Sequence, residues 1–279
     1  MKLLILGGKG MAGHVITSYF KQKPQYDVSY TSRDPDEKNG IYMDVTNSTK
    51  LEKIIEEIKP DIIINCIGIL NDHATNNSKL AYQVNSVLPH QLAKLTERYQ
   101  GKLIHISTDC VFSGERGDYT EDDIPDGTSI YAESKQLGEI ISNKHLTIRT
   151  SIIGPELKED GIGLFLWFMK QNGKIKGYEK VLWNGVTTLE LAKAIESMIE
   201  HNITGLYHLG LEEKISKFNL LKLIQEVFEK TDIEIIPDSQ IILDRTIKST
   251  RSDFKYFFPT YKQMLIELKA WMKNNESKA

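Results

Sequence analysis

Hydrophobic and polar positions along this chain switch repeatedly between two periods. A short apolar run at residues 3–6 has strand length, and behind it Met11, Val15, Ile16, Tyr19 and Phe20 recur at helical spacing. The couplet repeats. Residues 26–31 read as a second strand and residues 41–46 as a short third, followed by a helix face of Leu51, Ile54, Ile55 and Ile58 that Pro60 closes. Residues 62–68 form a fourth strand. Residues 80–99 then give a helix with Val84, Val87, Leu88, Leu92 and Leu95 facing inward. Further strands follow at 102–107 and 146–153, with a helix at 129–139 between them. Strands alternating with helices predict an α/β fold, a doubly wound parallel sheet.

After residue 153 the alternation stops. Glycines, Pro155 and the aromatic run 165–168 predict the start of a smaller substrate-binding cap, while residues 188–199 and the strand 206–209 return to the main sheet. The expected division is 1–153 with 184–210 as the dinucleotide-binding domain, and 154–183 with 211–279 as the C-terminal cap. Within the cap, residues 218–228 are strongly amphipathic, 233–236 read as a short strand, and Met264, Leu265, Leu268 and Trp271 mark a helix packing back on the body.

Three stretches carry chemistry. Gly7, Gly10, Met11, Ala12 and Gly13 lie between the first strand and the first helix, where glycines let the backbone approach a pyrophosphate seated on the helix N-terminus. Tyr131 and Lys135 are four apart on one helix face, so one ligand can touch both, and an ammonium near the phenol is expected to lower its pKa. Ser107, Thr108 and Asp109 end a strand, at the carboxyl ends beyond which such folds bind ligands. At the tip of the second strand Arg33 precedes Asp34; an arginine suits a 2′-phosphate, which predicts NADPH, while the neighbouring acid leaves NADH open. Trp167 offers an aromatic face to a sugar ring. The acids Glu121, Asp122 and Asp123 of the loop at 115–128 read as solvated, in a loop placed to cover a substrate.

Composition narrows the classes. A net charge of -3 over 279 residues offers no broad basic face, so a nucleic-acid partner is not expected. The longest apolar runs fall well short of the ~20 residues that span a bilayer, and the N-terminal run is too short for a signal peptide. A cytoplasmic protein without a membrane partner is expected. Two cysteines, Cys66 and Cys110, exclude a disulfide framework, and the scattered histidines give no metal site.

Together Gly7, Gly10 and Gly13, the 107–109 strand end, and Tyr131 with Lys135 resemble the extended short-chain dehydrogenase/reductase family, whose signatures are Gly-x-x-Gly-x-x-Gly and Tyr-x-x-x-Lys. Within it, Ser107-Thr108-Asp109-Cys110-Val111-Phe112-Ser113-Gly114 is similar to the Ser-Thr-Asp-x-Val-Phe-x-Gly segment of the dTDP-4-dehydrorhamnose reductases. Tyr131-Ala132-Glu133-Ser134-Lys135 and Gly138-Glu139 match that family's Tyr-Gly-x-(Ser/Thr)-Lys and Gly-Glu. The likeness covers the chain to about residue 154; beyond it, Arg245-Thr246-Ile247-Lys248-Ser249 only faintly echoes Arg-Pro-x-Asn-Ser.

The resemblance implies a Rossmann domain and NADPH-dependent reduction of a 4-keto-6-deoxy nucleotide sugar for cell-surface polysaccharide. Tyr131 would donate the proton, Lys135 hold the ribose and tune the phenol, and Thr108 bond the substrate oxygen. Asp44 with Val45 would contact the adenine, and Cys66, Ile67, Gly68 and Ser107 border the cofactor. Asp109, Cys110, Trp167 and Arg245 would face the sugar, and Asn85 would serve structure. Relatives are commonly homodimers. The related 4,6-dehydratases carry a glutamate where Cys110 stands, and GDP-fucose synthases pair a cysteine there with a cap histidine, a residue type absent between positions 146 and 200. A nucleotide-sugar 4-epimerase, or an NADP-binding regulatory subunit like that of methionine adenosyltransferase, are the alternatives.

Overall fold

The computed structural model describes residues 1–276. The first half alternates as its pattern requires. Strand β1 (Lys2–Leu6) feeds α1 (Met11–Lys21), then β2 (Asp27–Ser32) and β3 (Ile41–Tyr42), α2 (Ser48–Ile58) and β4 (Ile62–Asn65). Next come α3 (Asn71–Asn76), α4 (Ser78–Ala81), a π-helical turn (Tyr82–Val87) and α5 (Leu88–Glu97), which lead to β5 (Lys102–Ile106), α6 (Ile130–Leu137) and β6 (Leu146–Thr150). The second half holds β7 (Ile152–Ile153), α7 (Leu164–Lys170), β8 (Gly173–Trp183), β9 (Val186–Thr187), α8 (Thr188–Glu200) and β10 (Gly205–Leu209). Last are β11 (Ile215–Ser216), α9 (Lys217–Val227), β12 (Ile233–Asp244) and α10 (Tyr261–Glu276).

Seven strands form one parallel sheet in the order β10-β6-β5-β4-β1-β2-β3. Its strand order reverses between β1 and β4, which places the ligand crevice beyond their carboxyl ends. Successive side chains of β1 go to opposite faces: Leu3 and Ile5 pack with Ile16, Phe20, Leu191 and Ile195, whereas Leu4 and Leu6 pack with Leu51, Ile55, Leu88 and Leu92. Both faces are therefore covered, as an all-parallel sheet needs. A smaller sheet, β11-β8-β12, forms within the chain's second half, with α9 packed against β8. Among the described residues no helix is long and apolar enough to cross a membrane.

Several expectations need correction. The third strand stops at Tyr42 and the fourth at Asn65, and the run 146–153 breaks at Ser151 into two strands of different sheets. The short strand expected at 233–236 continues to Asp244 beside β8, with a register shift between Asp238 and Ile242. Pro237 and the polar residues after it hide this strand from a periodicity reading, and they are tolerated because β12 is an edge. Val87 does not face inward: it is 60% exposed. The π-helical turn adds a residue to the local turn, which rotates the face by about 100° and turns Asn85 inward in its place.

Candidate active site

The glycine turn is built at the sheet's reversal point. Gly7 has a φ of 78°, which an L side chain rarely adopts, and the Gly10 N–H donates to the Gly7 carbonyl at 2.9 Å. A Cβ at Gly13 would sit 2.1 Å from the Gly7 oxygen, so only glycine lets α1 start this close to β1. No side chain caps α1 and no acid stands in its first turn. Its leading amides are thus free to bind an anion, and these residues fit a dinucleotide's diphosphate.

Around the turn lie the other predicted cofactor contacts. Ile67 abuts Gly7, and Cys66 donates its N–H to Leu6, so the tip of β4 borders the crevice. Burial pushes the Cys66 thiol up to about 12. Gly68 lies near Asn85, whose side chain both accepts from the Ile69 N–H (2.8 Å) and donates to the Ile69 carbonyl (2.9 Å). Arg33 is exposed just past β2. Asp44 accepts from the Thr46 N–H and hydroxyl, which hold its carboxyl below the usual range, and Val45 beside it is partly buried. Lys9, inside the glycine turn, forms an ion pair with Glu37 at 2.7 Å, and Tyr30 donates to the same carboxylate.

The Tyr131 helix owes its position to Ser129, whose hydroxyl accepts from the Ala132 N–H and starts α6 there. The Thr108 hydroxyl donates to Asp109 (3.1 Å) and accepts from the Cys110 N–H (3.1 Å), and it lies near enough to the Tyr131 phenol to act on its proton. Lys135, buried, donates to the Ile106 carbonyl at 2.7 Å and lies 3.3 Å from His105 Nε2. Burial pulls its ammonium down to about 8. The expected lowering of the Tyr131 pKa is overturned. Burial above all pushes the phenol up, and the nearby Thr108 hydroxyl only partly opposes this. Lys135 does not lower it here because its amine is turned to the ends of β4 and β5. Ser107 is likewise turned inward, its hydroxyl donating to Glu139 at 2.7 Å.

Facing Thr108 is a charged group assembled from the chain's second half. Arg245, directly after β12, donates from Nε to the Phe112 carbonyl (3.0 Å) and from a terminal nitrogen to Cys110 Sγ (3.9 Å). Asp109 is raised by burial, against the opposing charges of Lys217 and Arg245. The Cys110 thiol is pushed up to about 12 by burial and by Asp109. Lys217 was not anticipated: its ammonium lies 5.1 Å from the Trp183 ring, feels Asp109 and Cys110, and is pulled down to about 8 by burial. It makes no hydrogen bond to a described residue. Trp167, 40% exposed on α7, has no hydrogen bond or ring contact with this group among the described residues.

Glu121 also departs from expectation. Instead of being solvated, it accepts from the His208 N–H, the Ser249 hydroxyl, and the N–H and hydroxyl of Thr250. Asp123 pairs with Arg116.

Both the sequence and the fold are similar to those of known proteins. The profile of a family described as the RmlD substrate binding domain matches residues 1–253. A dTDP-4-dehydrorhamnose reductase of Aggregatibacter actinomycetemcomitans is 28% identical over 250 residues, 85% of this chain and 82% of that one. The methionine adenosyltransferase 2 subunit beta of Bos taurus is 24% identical over 257 residues, covering 86% and 77%. In fold, the chain is similar to a dTDP-4-dehydrorhamnose reductase of Bacillus anthracis str. Ames solved in complex with NADP, with a TM-score of 0.81 and 23% identity over 97% of this chain and 99% of that one.

Proposed function

We propose a function from the premise that the chain belongs to the RmlD substrate binding domain family: it is an NADPH-dependent reductase of a 4-keto-6-deoxy nucleotide sugar, serving cell-surface polysaccharide precursor synthesis. The observation that carries this reading is the approach of Thr108 and Tyr131, with Lys135 one helical turn on, at the carboxyl ends of the strands where the glycine turn also lies. Relatives named dTDP-4-dehydrorhamnose reductase support the substrate class.

The diphosphate would rest on the amides of Met11, Ala12 and Gly13, with Gly7 and Gly10 shaping the turn. Arg33 would meet the 2′-phosphate, Asp44 and Val45 the adenine, and Cys66, Ile67 and Gly68 the inner edge. Lys135 would hold the nicotinamide ribose. When bound, the nicotinamide supplies a hydride to the ketone carbon. Burial keeps Tyr131 protonated, so the phenol can give its proton to the ketone oxygen as negative charge grows there. Thr108 donates to the same oxygen, and its backbone is held by the turn it caps at Asp109. Asp109, Cys110, Arg245 and Lys217 offer the sugar both acceptors and cations, and residues 154–183 and 211–279 form the cap that presents it. Because its cofactor and substrate are metabolites of the cytoplasm, we place the enzyme there. Exposed Val87, Leu137 and Ile141 on adjoining segments support a homodimer.

The test is to incubate the purified chain with NADPH and a panel of 4-keto-6-deoxy sugars carrying dTDP, UDP or GDP. Consumption of NADPH with a matching 4-hydroxy product is expected, fastest with the dTDP sugar. Tight NADP binding without consumption would instead make the chain a binding subunit of the kind named among its relatives. Interconversion of C4 epimers without net consumption would make it an epimerase.

A further inference from the structure

The amine of Lys135 ends a buried chain of hydrogen bonds whose direction can be worked out atom by atom. The Ile67 N–H donates to Asn65 Oδ1 at 3.2 Å, which fixes the orientation of that amide. Its Nδ2 therefore faces His105 Nδ1, at 3.1 Å. An amide NH₂ only donates, so Nδ1 must be unprotonated and a neutral ring must carry its proton on Nε2. That Nε2–H faces Lys135 Nζ at 3.3 Å. The opposite tautomer would set two donors against each other where Asn65 and His105 are both fully buried. An ammonium has no acceptor to offer Nε2–H, whereas a neutral amine has one and can still donate to the Ile106 carbonyl.

We propose that Asn65 and His105 are positioning residues for Lys135: the amide fixes the imidazole with Nε2–H toward Nζ, and the ring, by facing Nζ with a donor, favours the accepting amine over the ammonium. The proposal rests on the reductase reading only for the role of Lys135. Neighbouring groups agree with it. His105 is kept neutral, its pKa driven well down chiefly by burial. Burial opposes the ammonium, Glu139 after α6 favours it, and the net pull brings Lys135 down to about 8. Cys66 is itself held as a thiol, and Tyr131, one turn earlier on α6, as a phenol.

The chain gives two handles. In Asn65→Asp the carboxylate accepts from both the Ile67 N–H and His105 Nδ1–H, which reverses the tautomer and turns the Nε2 lone pair toward an ammonium. In His105→Gln the amide oxygen can face Nζ with the same effect. ¹⁵N-histidine NMR of the cofactor-free protein, with the His105 signal identified by its loss in His105→Gln, should show a neutral Nε2–H ring between about pH 6 and pH 9. Asn65→Asp should show the Nδ1–H ring instead. The alkaline midpoint of NADP⁺ binding, followed by titration calorimetry, should move upward by about one pH unit or more in both variants. A wild-type Nδ1–H ring or an imidazolium overturns the proposal, as does an unmoved midpoint in both variants. The NMR readout uses no substrate, so the tautomer it reports stands whether or not the chain reduces a keto sugar.

Discussion

At the scale of single residues, the proposed active centre rests on which groups keep their protons. Tyr131 is enclosed and its phenol pushed up, which suits an acid that must arrive protonated. Tyr131→Phe removes the proton while keeping the ring, so turnover should fall by about 10²-fold or more, the scale of lost general-acid catalysis. NADP affinity, measured by titration, should stay within a few-fold. Lys217 makes a second case: its partly buried ammonium, near Asp109 and the Trp183 ring, has no hydrogen-bond acceptor among the described residues, and it is proposed to meet a ligand oxygen. Lys217→Met should raise the sugar KM by about tenfold, the loss of roughly one charge-assisted bond, with a smaller change in kcat; steady-state kinetics at saturating NADPH separates the two. The positions of Thr108 at a strand end and of Tyr131 and Lys135 on one helix were legible in the sequence because such spacing is local. Lys217 was not, since it follows Ser216, a helix N-cap, and reads as an ordinary first-turn residue. Only the approach of α9 to the strand-end turn gives it a role. Asn65 and His105 escaped notice for the same reason, each looking like a lone polar residue in an apolar strand.

At the scale of elements, periodicity found strands and helices wherever one face is buried against the sheet. It failed where a residue is inserted or a strand is exposed. The π-helical turn at Tyr82–Val87 leaves no mark in composition, yet it moves Val87 out and Asn85 in. Asn85 there also donates to Ser134 at 3.0 Å and so ties the turn to α6, the helix that carries Tyr131 and Lys135. The glycine turn was legible because its constraint is chemical as well as periodic. Gly13→Ala tests that constraint: a methyl 2.1 Å from the Gly7 oxygen forces β1 and α1 apart. Overpacking of this kind costs about 1–3 kcal/mol, which should show in urea unfolding. NADP affinity should drop alongside it, because the same shift moves the amides of α1. Equal stability with unchanged affinity would mean that α1 can slide without cost.

At the scale of the whole molecule, the loop between β5 and α6 joins the main sheet to the C-terminal segment. Tyr119 pairs with Ile247 as an isolated bridge, its N–H donating to Thr246 and its carbonyl accepting from Lys248. Its ring stacks on Phe112, at 4.2 Å between centroids. His208 of β10 reaches the Tyr119 carbonyl through Nδ1 and meets Arg149 through Nε2, and Arg149 forms a bidentate pair with Glu139, which also receives Ser107. Glu121 is the outer tie of this system. Burial alone would raise its carboxyl, but the N–H groups of Thr250 and His208 more than offset that, and its pKa ends below the ordinary value. A carboxyl whose pKa is lower folded than unfolded contributes stability above its unfolded pKa, about 4.3, and that contribution is lost as pH falls through the folded value. Glu121→Gln keeps the size but removes the charge and sets an NH₂ where an acceptor stood. The variant should therefore be less stable than the native chain at neutral pH, and the gap should narrow as the native carboxyl protonates below about pH 4. Urea unfolding across a pH series measures it. A gap independent of pH would show that the carboxylate charge plays no part in the tie, and that Tyr119 and its backbone bridge hold the loop over the strand ends without it.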